Sequence, residues 1–175
     1  MKKLAYVLLI SILALTFIEV YSTAHAERVK NAQFEEQLVG TVSDGVISTP
    51  GGWTKITEQI ITGTGEGSLP GSPITFIITA QVRYKEEGKK SFTMGNWTIV
   101  ASGDEGRVSG RFQGQGTDPN EFFGTFRSLN DTATGIFSGK MIYGEFESKY
   151  LPPETYGAQR RYEALWIGAI KETDE

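Results

Sequence analysis

Glycine recurs at close intervals inside runs that otherwise alternate as β-strands do, and this confines the chain to strongly curved β architecture. Ile74 to Tyr84 sets the rhythm. Ile74, Phe76, Ile78, Ala80, Val82 and Tyr84 alternate with Thr75, Ile77, Thr79, Gln81 and Arg83, the period of two of a half-buried strand. Arg107 to Gly114 repeats it, with Val108, Gly110, Phe112 and Gly114 set against Arg107, Ser109, Arg111 and Gln113. Phe122, Gly124 and Phe126 continue the glycine–aromatic alternation. Glycine beside a bulky ring lets a wall coil and leaves room for the neighbour. Phe34 to Val42, Trp53 to Thr62, Phe92 to Ala101, Ile136 to Glu147 and Arg160 to Lys171 read as further strands. The last carries Tyr162, Ala164, Trp166, Gly168 and Ile170 on one face, and Ile136 to Glu147 places Phe137, Gly139, Met141 and Tyr143 together. Turn signals such as Ser43-Asp44-Gly45 and Thr117-Asp118-Pro119-Asn120 join successive strands. The expectation is an all-β fold: an antiparallel meander of about eight strands, closed into a β-barrel because closure removes exposed edges. A β-sandwich is the alternative, and the glycine-rich strands favour the barrel.

Residues 1–26 read as a cleaved secretory signal. Lys2 and Lys3 precede an apolar run from Leu4 to Ile18, interrupted by Ser11 and Thr16, and Ala24-His25-Ala26 is a small-x-small cleavage site. Glu19 ends the run short of the roughly 20 apolar residues a spanning helix needs. The expected product is exported to the periplasm or beyond, without membrane insertion after cleavage. It carries a flexible arm over 27–33 and one barrel domain over 34–175.

The chain has no cysteine, and its one histidine, His25, lies inside the signal. Without either residue, Ser-His-Asp and Cys-His nucleophilic catalysis are excluded. So are zinc sites of the usual His/Cys type, His-ligated haem and iron–sulfur clusters. No cofactor and no metal is expected. Asp118, Asn120 and Glu121 fit no EF-hand spacing. The net charge of −4 is spread along the chain and opposes nucleic-acid binding, which needs a basic footprint. Gly63-Thr-Gly-Glu-Gly67 is not followed by the Lys-Ser/Thr and helix of a phosphate-binding loop, and reads with the residues up to Pro73 as a surface loop. Asn96-Trp-Thr98 and Asn130-Asp-Thr132 match the glycosylation sequon, but the signal is bacterial in style and they read as chance matches.

Gly95-Asn-Trp-Thr-Ile-Val-Ala-Ser-Gly-Asp-Glu-Gly-Arg-Val-Ser-Gly-Arg-Phe-Gln-Gly-Gln-Gly116 resembles a wall of the allene oxide cyclase-like barrels. It is similar in particular to small bacterial barrel proteins of unassigned function. The likeness covers this stretch; elsewhere the chain agrees in strand rhythm alone. It implies a calycin-type, lipocalin-like or dirigent-like cup with an apolar interior. Relatives on that architecture include cyclases that steer a reactive intermediate by shape. None of their catalytic motifs is recognisable here, so no catalytic residue carries over.

Glu58 is the weak catalytic candidate, read on an apolar face between Ile56 and Ile60, where burial would raise its pKa. Tyr84, Phe112, Phe126, Tyr162 and Trp166 share the apolar faces of their strands. They line either a ligand pocket in the barrel mouth or an ordinary filled core. Three functions follow. The first is an exported barrel binding a small hydrophobic ligand. The second is a structural or interaction barrel with a filled core, meeting partners through Trp53 and Trp97 or forming a homo-oligomer. The third is a cofactor-free cyclase or isomerase acting by orientation.

Overall fold

The alternation read from Ile74 to Tyr84 is realised almost residue for residue. In the computed structural model, which describes residues 31–85, 90–153 and 158–173, Ile74, Phe76, Ile78, Ala80 and Val82 are buried and their odd-numbered neighbours exposed. Among the described residues nine strands form: β1 (Asn31–Val42), β2 (Val46–Ser48), β3 (Thr54–Gly67), β4 (Ile74–Lys85), β5 (Lys90–Ala101), β6 (Arg107–Asp118), β7 (Glu121–Ser128), β8 (Lys140–Leu151) and β9 (Arg160–Glu172). The expected signal and the first part of the arm lie outside the described residues. Residues 31–33 of the arm belong to β1 rather than to a flexible segment.

The strands pair in the order β1-β9-β8-β7-β6-β5-β4-β3-β2, and an added β1–β3 pairing closes the circuit. Eight antiparallel strands therefore make a closed meander barrel, with short β2 as an extra strand on β3. Most apolar side chains point inward, while Thr75, Ile77, Thr79, Gln81 and Arg83 of β4 point outward.

Three local expectations are corrected by the pairing. Gly63 to Gly67 is not a loop but the half of β3 that closes the barrel against β1. A Cβ at Gly63 would overlap the Val39 carbonyl oxygen, and one at Gly65 would lie 2.6 Å from Leu38 Cδ2. The glycines permit a close strand approach that looks, in sequence, like loop composition. Second, β3 carries a bulge. Its register against β4 slips between Ile56 and Gln59, and Glu58 sits there in the left-handed region at φ 60. The extra residue reverses the faces. Ile56, Gln59 and Ile61 turn to the core, while Ile60 and Glu58 face solvent, so Ile56 and Ile60 do not share a face. Third, β8 begins at Lys140 and not at Ile136. A 3-10 turn over Gly135–Phe137 and Gly139 at φ 66 precede it. Phe137 is buried in that turn, whereas Met141 and Tyr143 fall on the outward side.

Interlocking rings fill the interior. Phe126 stacks on Trp166 at 4.2 Å between centroids, and Trp97 meets Trp166 edge-on at 5.4 Å. Phe34 reaches Phe126 across the barrel at 6.2 Å, and Phe76 reaches Tyr162 at 6.1 Å. Each fully buried side chain of this size contributes about 1.5–3 kcal/mol. Trp97 Nε1 donates to the Arg111 carbonyl oxygen at 3.2 Å. At one barrel end the turn residues are committed to each other. The Asn120 N–H donates to Asp118 Oδ1 at 2.7 Å, Arg160 Nη2 donates to Asn120 Oδ1 at 2.6 Å, and Glu121 pairs with Lys149 at 3.1 Å.

One carboxylate is carried inward. Glu36 is buried on β1, accepting from the Leu69 N–H at 3.1 Å and from the Ser72 hydroxyl at 2.9 Å. Burial pushes its carboxyl above the ordinary 4.5, and the two donors offset only part of that. The folded protein thus holds this proton to a higher pH than the unfolded chain does. The corresponding stability is fully present below about pH 4.5 and is lost as pH rises through the folded value. Glu36→Gln, which keeps one acceptor oxygen, is expected to flatten that decline. Urea midpoints between pH 4 and 8 test this: the variant gains on the wild type as pH rises. A constant difference across the range would refute it.

Candidate functional site

One ring of inward positions is small on either side of two phenylalanines. Through successive registers Ala80 lies opposite Gly95, Gly95 opposite Phe112, Phe112 opposite Phe126, Phe126 opposite Gly144, and Gly144 opposite Gly168. Where no side chain points inward, backbone rests directly on the rings. A Cβ at Gly95 would lie 2.8 Å from Phe112 Cε1, one at Gly144 2.9 Å from Phe126 Cζ, and one at Gly168 2.9 Å from Phe34 Cε1. Along this ring the backbone lies close over the core rings, and a concavity lies outside it.

That concavity is a groove of about 1410 Å³ crossing the strands from β3 to β8. Its floor is Ala80, Gly95, Phe112, Phe126 and Gly144. One wall is the outward row Ile60, Thr79, Asn96, Arg111, Arg127 and Tyr143, each opposite the next. The other wall is Gln81, Met94, Gln113, Thr125 and Glu145, likewise in register. Glu58 and Met141 complete the lining. From β4 to β8 the groove spans four strand spacings, about 19 Å. A second concavity of about 720 Å³ shares Met94, Gln113, Thr125 and Glu145 with it and adds Phe123, Leu165 and Ile167. Met94, Phe123 and Ile167 are 55%, 53% and 51% exposed, so the junction presents apolar side chains to solvent.

The groove is electrostatically uneven. Arg111 and Arg127 are directly opposite on neighbouring strands, both exposed. Like charges in that relation destabilise a sheet. Among the described residues, neither has a carboxylate within ion-pair distance. Glu145 lies one diagonal step from Arg127, and Asp131 borders a small hollow beside both arginines. Asn96 and Tyr143 flank the pair on either side.

The sequence-derived candidates scatter over this arrangement. Phe126, Tyr162 and Trp166 are buried in the interior and Tyr84 and Phe112 are half-buried at its margin. Of the five, Phe112 and Phe126 contribute to the groove, through its floor. Tyr162 is wholly enclosed and its hydroxyl pKa is driven far up, by burial first and then by Tyr150. Ser148 and Trp166 face that hydroxyl, although Trp166 Nε1 makes no full hydrogen bond. Glu58 is exposed at one end of the groove, not enclosed among isoleucines, because the bulge carries it outward. Trp97 is 1% exposed and packs inside, so it offers no partner surface. Trp53 is half-buried, and Arg83 lies 5.0 Å from its ring centroid and 5.6 Å from that of Phe92.

Asn96, Arg111, Arg127 and Tyr143 were not singled out by sequence reasoning. They occupy ordinary outward positions, and only the strand register shows that they form one row. No protein-family model matches the chain, and no curated protein is similar to it.

Proposed function

We propose that this chain is an exported, non-catalytic binding barrel that holds an elongated amphipathic ligand against the outside of its wall. The observation supporting this is the concavity outside the row of small inward residues, where the wall lies close over a ring-filled interior. Amides and hydroxyls of Thr79, Gln81, Asn96, Gln113 and Thr125 supply polar contacts along it, and Ile60, Met94, Met141 and Phe112 supply apolar ones. Mixed lining of this kind fits a ligand with both characters. The version of the cyclase or isomerase reading that makes Glu58 the proton carrier loses its support, because that residue stands in solvent.

Native mass spectrometry of the protein from its own host tests the proposal. The wild type is expected to carry an amphipathic molecule, and Gln113→Trp, which fills the groove from the solvent side, is expected to lose it. A molecule retained by that variant, or a wild type that carries none and takes up no added amphiphile, would overturn the reading.

A further inference from the structure

We infer that the groove takes an anionic amphiphile, its acidic head held between Arg111 and Arg127 and its apolar chain laid along β7 over Phe123, in the concavity that Met94 and Ile167 border on either side. This rests on the binding reading above and adds the chemistry of the head group.

Two arginines lie directly opposite each other on adjacent strands, and like charges so placed cost stability, a cost that an anion between them relieves. The chain carries more acidic than basic side chains, 21 against 17, and yet leaves this pair without a carboxylate at ion-pair distance among the described residues. Arginine presents a planar fork of donors that matches a carboxylate, sulfate or phosphate in a bidentate way. Asn96 on one side adds an amide donor and Tyr143 on the other a hydroxyl. The pair sits midway along the groove. Phe123 lies two outward rows from Arg127 along β7, with Met94 on β5 to one side and Ile167 on β9 to the other, all three bordering the adjoining concavity. Glu145 and Glu147 border that second concavity. They disfavour a second negative charge along the chain, so the ligand is a single-headed acid rather than a polyanion.

Dodecanoate, kept below its micelle concentration, is the probe, with dodecyl glucoside as an uncharged comparison. Wild type is expected to bind both at one molecule per chain, dodecanoate the tighter. Arg111→Gln with Arg127→Gln is expected to weaken dodecanoate about tenfold or more while leaving the glucoside unchanged. Raised salt narrows the difference between the two probes. Equal dodecanoate affinity in wild type and double variant would overturn the head-group assignment and leave the groove standing. If Gln113→Trp binds both probes as the wild type does, the groove itself fails, and with it the proposed function. All the substitutions are at exposed positions, and an unchanged thermal midpoint shows that each variant is folded.

Discussion

Trp166→Ala is expected to lower the unfolding free energy by about 3–5 kcal/mol, equivalent to a fall in thermal midpoint of roughly 10 °C for a domain of this length. Trp166 is 2% exposed and is the hub of the interior, stacked on Phe126 and met edge-on by Trp97. Its removal deletes both ring contacts and leaves a space that strands held in closed register cannot collapse to fill. One compensation operates. Trp166 Nε1 is buried facing the Tyr162 hydroxyl without a full hydrogen bond, and a buried donor left unsatisfied costs about 1–3 kcal/mol. Trp166→Phe keeps the stack and removes that donor, so it is expected to cost less than about 1.5 kcal/mol. Benzene binds dry, apolar cavities of this kind. It is therefore expected to raise the thermal midpoint of Trp166→Ala and not that of the wild type. A wild type stabilised by benzene to the same degree would show that the interior already holds such a space.

Gly110→Ala is the second large effect, about 3 kcal/mol of destabilisation, read from the urea midpoint. The added methyl would overlap the Trp97 indole and the carbonyl oxygen of Arg127. The indole is fixed by its bond to the Arg111 carbonyl and by the Trp166 ring, and the carbonyl belongs to the β6–β7 ladder, so neither yields cheaply. The sign is informative. Glycine to alanine at an unstrained, open position gains about 0.4–1 kcal/mol by restricting the unfolded chain; here the filled interior reverses it. Gln113→Ala, outward on the same strand, is expected to stay within about 0.5 kcal/mol of the wild type. If Gly110→Ala were as stable as the wild type, the wall would have room behind it.

The barrel was legible because period-two alternation survives through most of the long strands and because glycine beside aromatics signals curvature. What escaped the sequence reading depends on pairing. Gly63 to Gly67 has loop composition, yet it is strand because β1 comes alongside closely enough to demand glycine. The bulge at Glu58 is invisible to a face count that assumes strict alternation, and one extra residue reversed the assignment of Ile56 and Ile60. The candidate pocket aromatics were correctly grouped on the inner faces. Inward-facing rings do not by themselves distinguish a hollow barrel from a filled one, since that depends on which rings meet across it. Arg111 and Arg127 are 16 positions apart in the chain, and nothing local marks them as neighbours. Only the β6–β7 register does. Small residues at Ala80, Gly95, Gly144 and Gly168 are each unremarkable alone, and form one ring only when five registers align them.

The account stands or falls on which side of the wall a ligand occupies. Titrating isotope-labelled protein with dodecanoate and following its nuclear magnetic resonance spectrum answers this directly. The backbone amides of Asn96, Arg111, Gln113 and Arg127 are predicted to shift in a saturable way, while the Trp166 indole N–H and the methyls of Ile99 and Ile142 hold still. Early shifts of that indole and those methyls, with the outer amides unmoved, would place the ligand inside the barrel and contradict the account.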